Sequence, residues 1–118
     1  MPEGFTFALK FPRAISHDKK LSNVSEETFA LLDALRSRGV EAPIYVSVAS
    51  YCRGRSSPTI ASAQAGLVSA AKGIRAGPDS DAISEALDRH DGCHFSARGL
   101  DRFAAAWVAA LTAPAPDR

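Results

Sequence analysis

Pro43-Ile44-Tyr45-Val46-Ser47-Val48-Ala49 is a nearly continuous apolar run rich in β-branched residues. A strand with one wet face alternates polar and apolar residues. A run such as this reads instead as a strand buried on both faces, as in a parallel sheet. The loop Ser50-Tyr51-Cys52-Arg53-Gly54-Arg55 leaves it. Ser57-Pro58 then supplies an N-cap and a proline at the first helical position, where its missing amide is no loss. Ile60, Ala63, Leu67, Ala70 and Ile74 follow at helical spacing, and Gly73 marks the stop. Ile74-Arg75-Ala76 reads as a short second strand before the turn Gly77-Pro78-Asp79. The order strand, helix, strand predicts parallel pairing through a right-handed crossover, and so an α/β fold.

Upstream, a helix is expected from a cap at Asn23 or Ser25 to a stop at Gly39. Glu26 and Glu27 suit the positive end of its dipole and Arg36 and Arg38 the negative end. Leu31, Leu32 and Leu35, flanked by Phe29, make its buried stripe. Before it, Phe5, Phe7, Leu9 and Phe11 alternate with Thr6, Ala8 and Lys10 in strand-like fashion until Pro12. A polar loop from Ala14 to Ser22 carries His17-Asp18, read as solvated surface. Downstream, Ala82 to Leu87 reads as a brief helical turn. Ser96 caps a last helix whose apolar positions are Leu100, Phe103, Ala104, Trp107, Val108 and Leu111. Residues 1–22 thus form a strand and loop, 23–112 the main portion, and 113–118 a frayed tail.

At 118 residues the chain is one domain or part of one. A net charge of +1 gives no electrostatic case for nucleic acid or an anionic membrane, so neither is an expected partner. No apolar run approaches the roughly 20 residues that span a bilayer. Met1-Pro2-Glu3-Gly4 lacks the basic start and apolar core of a signal peptide, which leaves the cytoplasm as the default compartment. Two cysteines, Cys52 and Cys93, are too few for a disulfide scaffold and lack the spacing of a structural zinc site. Neither a metal nor another cofactor is expected.

In open α/β sheets, ligands gather outside the carboxyl ends of the strands. Two loops here leave such ends, Ser50 to Arg55 and Gly77 to His94, and they should share one rim. That places Cys52, Arg53 and Arg55 near the stretch Asp91-Gly92-Cys93-His94-Phe95-Ser96. Cys52 and Cys93 should then be close enough to join under oxidising conditions. A carboxylate three residues before a histidine can hold one ring nitrogen and fix the tautomer, so that the other accepts a proton from a nucleophile. The bland reading of the same stretch is a turn followed by a helix cap. Ser50, at a strand's carboxyl end, is the best-placed nucleophile, although serines there more often satisfy turn backbone. Cys52 facing His94 would make a thiol–imidazole pair. His90, Cys93, His94 and Cys52 are metal-ligand types, but their crowded spacing speaks against a centre. Arg53 and Arg55 are candidates for holding a substrate carboxylate.

Pro43-Ile44-Tyr45-Val46-Ser47 with Ala49-Ser50-Tyr51-Cys52, then Ala76-Gly77-Pro78-Asp79, then Asp91-Gly92-Cys93-His94-Phe95-Ser96 with Gly99, resembles the C-terminal part of a sialate O-acetylesterase-type domain. That family belongs to the SGNH hydrolases. The resemblance implies a flavodoxin-like three-layer α/β/α fold with a parallel sheet, and hydrolysis of acyl esters, commonly O-acetyl groups on sugars. It makes His94 the catalytic base and Asp91 its partner. The family's nucleophilic serine stands in an N-terminal motif after the first strand, and donors from later loops form its oxyanion hole. Met1 to Ser22 contains no Gly-Asp-Ser, no Gly-Gln-Ser and no Gln-Gly-Glu. The chain therefore reads as the last portion of such a domain, without the N-terminal strands and inactive alone. An acetylated carbohydrate or small ester would be its substrate once completed. An unpaired sheet edge would favour self-association or pairing with the missing half. The rival readings are a non-catalytic binding module of the same fold, and a small hydrolase using Ser50 or Cys52.

Overall fold

The computed structural model describes residues 25–114. The alternating run Phe5 to Phe11, the pair His17-Asp18 and the end of the tail, 115–118, lie outside them. The chain divides into two compact units, residues 1–42 and 43–118.

In the first unit, helix α1 spans Ser25–Ser37, with Glu26 and Glu27 in its first turn and Arg36 in its last. Leu32 is buried, while Leu31, Leu35 and Phe29 are half-buried. Gly39 ends the helix at a φ of 81°, as its position in the sequence predicts. Its amide donates to Arg36 O and the Val40 amide to Leu35 O, while the Arg36 guanidinium donates to the Val40 and Ala42 carbonyls. Two carbonyls of the last turn, those of Leu35 and Arg36, are thus satisfied.

The second unit runs β1 (Ile44–Val48), α2 (Pro58–Ala65), β2 (Ile74–Asp79) and α3 (Ala97–Thr112), with single 3-10 turns at Ala70–Lys72, Ser80–Ala82 and Ala86–Asp88. The strands pair in parallel, Ile44 beside Ile74, Tyr45 beside Arg75 and Val46 beside Ala76. Among the described residues the fold is a small α/β one with three helices and a two-stranded parallel sheet. Helix α2 packs on β1 and α3 on β2. Every residue of β1 is half-buried, not enclosed on both faces as its composition predicts. With one described strand beside it, β1 has too little sheet around it for full enclosure. No described helix is long and apolar enough to cross a membrane.

Helix α2 begins as expected, with Ser57 Oγ accepting from the Ile60 amide and Pro58 in the first turn. It ends at Ala65, eight residues before the expected stop at Gly73. Gly66 is a poor helix interior residue and Val68 and Ser69 extend the weak stretch, so propagation stops there. The chain instead buries Leu67 and turns through Gly73, at a φ of 67°, into Ile74, which is 1% exposed. Ser69 and Ile74 exchange both backbone hydrogen bonds across that turn.

β2 is also longer than expected. Gly77-Pro78-Asp79 continues the strand rather than breaking it, at the price of a register irregularity that sets Val48 beside Asp79. Here Ser47 Oγ donates to Pro78 O. A Cβ on Gly77 would sit 3.0 Å from the Trp107 ring and 3.1 Å from the β1 backbone, so glycine is what lets α3 lie this close. Phe103 and Trp107 are the half-buried aromatics of α3, whereas Leu100, Val108 and Leu111, apolar positions of the same helix, are exposed.

Candidate active site

The final helix and the turn before it are locked together first. Ser96 Oγ accepts from the Gly99 amide, capping α3, and donates to Leu87 O. Gly99 is buried, and a Cβ there would strike the Asp88 carbonyl oxygen. That carbonyl in turn accepts from the Ser96 amide at 2.8 Å. The Asp88 carboxylate is fully buried, with Arg102 Nη1 2.5 Å from Oδ2 and Arg98 Nε 3.4 Å from Oδ1. Both arginines also reach Glu85, whose carboxyl they hold below the usual range.

From this base the chain runs through Arg89, which the sequence reading passed over. Its guanidinium donates to three carbonyls, Ile83, Ser80 and Cys93, at 2.9, 2.6 and 2.6 Å. It lies 3.8 Å from the Phe95 ring centroid and 5.2 Å from that of Tyr51. The planar fork reads three loop segments at once, while its faces stack on aromatic rings. Phe95, Phe103, Trp107 and Tyr45 continue the row of rings at centroid distances of 5.0, 6.0 and 6.4 Å, the first pair tilted and the other two edge to face, down to the sheet.

Asp81 is the second residue the sequence reading missed. Its carboxylate accepts the amides of Ser50 and Tyr51 at 2.7 and 2.8 Å and the Ser50 hydroxyl at 2.5 Å. Burial pushes Asp81 up, but the Ser50 hydroxyl, these two amides and the Arg89 charge outweigh it and leave the group below the usual carboxylate range. Ser50 Oγ also accepts from the Ser57 amide. The hydroxyl is thus donor to one partner and acceptor from another, and so satisfies the turn that leaves β1.

The two loops do share a rim. Cys52 and Cys93 are joined in a disulfide, with Cα atoms 4.2 Å apart, and the Arg53 amide donates to Gly92 O. Cysteine thiols are therefore absent from the rim in this form, and Cys52 has no thiolate to offer. Cys52 and Arg55 exchange backbone hydrogen bonds across a tight turn whose central residues, Arg53 and Gly54, have φ of 50° and 77°. Arginine rarely adopts that conformation, and the disulfide and the Gly92 contact hold it there. The Arg53 and Arg55 residues are exposed beside the Asp91–His94 loop.

Asp91 organises that loop. Its Oδ1 accepts the amides of Cys93 and His94 at 2.9 and 2.7 Å, and its Oδ2 lies 2.6 Å from His94 Nδ1. The side-chain bond to His94, then the two amides, hold the Asp91 carboxyl well below the usual range. A carboxylate that stays ionised is an acceptor only, so Nδ1 carries the proton in this contact and Nε2 is the ring nitrogen that Asp91 leaves for another partner. The His94 side chain is 78% exposed. Asp91 and His94 are thus brought together as the spacing predicts, with the ring open to an incoming group.

No family model matches this chain, nor does any curated protein or solved structure. What the motif can do therefore follows from its own geometry. An imidazole with Nδ1–H held on a carboxylate and an exposed Nε2 accepts a proton, then returns it to a leaving group.

Proposed function

We propose that Asp91 and His94 are the orienter and general base of an ester hydrolase acting on O-acetyl groups of carbohydrate or similar small esters. In this reading the described elements are part of a flavodoxin-like three-layer α/β/α domain of the SGNH type. The nucleophilic serine and the oxyanion donors come from outside the described residues. The 2.6 Å contact between Asp91 Oδ2 and His94 Nδ1, on a ring otherwise open, is the observation that carries the reading.

Nε2 takes the hydroxyl proton as the serine oxygen bonds to the acyl carbon. The imidazolium that forms is stabilised by Asp91 and gives its proton to the departing sugar oxygen. Water then repeats the sequence, losing its proton to Nε2, and the acetyl group leaves as acetate while the serine is reprotonated. Arg53 and Arg55, exposed on the same rim, would hold a carboxylate on the substrate.

Nitrogen NMR of the imidazoles in the purified chain tests the base. The expected result is a His94 ring protonated at Nδ1 and bare at Nε2 in neutral solution, changing to mixed tautomers in Asp91→Asn. A His94 ring protonated mainly at Nε2 would overturn the reading. Hydrolysis of p-nitrophenyl acetate tests where the nucleophile is. The chain, His94→Ala and Asp91→Ala should all show background rates. Activity well above background, lost in both variants and also in Ser50→Ala, would place the nucleophile within the described rim and overturn that part.

A further inference from the structure

Proton transfer uses Asp91 and His94 and leaves His90 without a task. His90 is exposed, and its amide donates to His94 O at 3.0 Å, closing the loop so that the two rings stand together. Their centroids are 5.9 Å apart and their planes 19° from parallel. One nitrogen from each ring and one oxygen of Asp91 lie within 4.8 Å of one another.

Three donors on a floppy loop would have to be gathered before they could share an ion. Here the loop is already fixed. The Cys52–Cys93 bond, the Arg53 amide on Gly92 O, the Arg89 guanidinium on Cys93 O and the two amides on Asp91 Oδ1 hold it from several directions. Fixing the backbone in advance removes much of the ordering entropy that binding would otherwise have to offset. Tetrahedral coordination needs donors about 3.3 Å apart, since metal–nitrogen and metal–oxygen bonds are about 2.0 Å long. The donors, now within 4.8 Å of one another, would close to that spacing by rotation of the two exposed rings about χ1 and χ2.

The donor set decides the class of ion. Two imidazoles and one carboxylate suit zinc, nickel or copper(II), with remaining positions for water. Calcium and magnesium need a cage richer in oxygen than one carboxylate supplies. We propose that His90, Asp91 and His94 form a binding site for a divalent transition-metal ion of the zinc and copper class.

Calorimetric titration of the disulfide-bonded chain with zinc chloride, and separately with copper(II), tests this. One ion per chain is expected, with magnesium giving no heat. His90→Ala and His94→Ala should each weaken binding by about tenfold or more, and His17→Ala should leave it unchanged. Nitrogen NMR should show the His90 and His94 rings shifting together on zinc addition. Equal affinity in the parent chain and His90→Ala, or a loss confined to His17→Ala, would overturn the site. Because His90 has no part in proton transfer, His90→Ala should weaken metal binding while the His94 tautomer stays unchanged. That outcome separates this site from the hydrolase reading.

Discussion

The scaffold and the rim of residues 43–118 are held together by different means. The scaffold of β1, β2, α2 and α3 encloses little aliphatic surface: among the described residues of this unit the buried leucines and isoleucines are Leu67, Ile74 and Ile83, and of these Ile74 alone lies within those four elements. Much of the apolar surface of α3 stays exposed, as at Leu100 and Val108. The rim, by contrast, carries a disulfide, a guanidinium on three carbonyls, a buried carboxylate between two arginines and a carboxylate gripping two amides and a hydroxyl. In a small unit the loops, normally the least stable parts, here take over cohesion that a larger core would supply.

If that contrast is right, damage to the rim should exceed damage to the exposed face of the scaffold. The largest effect is expected for Gly99→Ala, whose Cβ, at the start of α3, meets the rim's Asp88 carbonyl oxygen, the acceptor of the Ser96 amide. Neither partner can rotate away, so a loss above about 4 kcal/mol or failure to fold is expected, read by urea denaturation. The pair Cys52→Ser and Cys93→Ser comes next. Opening a loop with a sequence separation of 41 returns entropy to the unfolded chain worth about 4 kcal/mol on the loop-closure treatment. Denaturation midpoints of the double variant and the oxidised parent give the figure.

Arg89→Lys should cost about 2 kcal/mol, because an ammonium cannot serve three carbonyls in the plane of a fork while stacking on Phe95. A smaller effect is expected from acid. Asp81 is held below its usual range in the folded state, so its contribution is fully present above the unfolded aspartate range. It is lost as pH falls through the lower folded value. Stability measured from neutral to acid pH should decline less steeply in Asp81→Asn than in the parent. Val108→Ser, on the open face of α3, should change stability by no more than about 0.5 kcal/mol. A larger loss there would mean the scaffold holds the unit together after all.

The parts legible in the sequence were those written locally. Ser57-Pro58 and Ser96 announce helix starts because a cap acts within three residues. Asp91 and His94 announce their pairing because the acid also binds the amides between them. Gly77-Pro78 misled because a break was the right local inference. Trp107, thirty residues away in sequence, and the β1 backbone at Val46 and Ser47 explain why glycine sits inside a strand there. Arg89 and Asp81 left no pattern at all. Arg89 grips carbonyls of residues of any type, and Asp81 binds amides across the fold, so neither role leaves a signature in side-chain identity. The parallel pairing was legible from strand order, whereas the length of each element was settled by packing.

The Cys52–Cys93 bond makes preparation history a variable of every assay on this chain. Material kept with thiol reductant, or made in a glutathione-rich cytosol, would present the Asp91–His94 loop pinned by hydrogen bonds alone. Material folded in an oxidising setting would present it covalently tethered to the loop after β1. These are two reagents from one polypeptide, differing by two hydrogen atoms. Tautomer, metal affinity and hydrolysis should be compared only between samples whose free-thiol content has been counted. A difference between them would measure how much the tether contributes to the position of one imidazole.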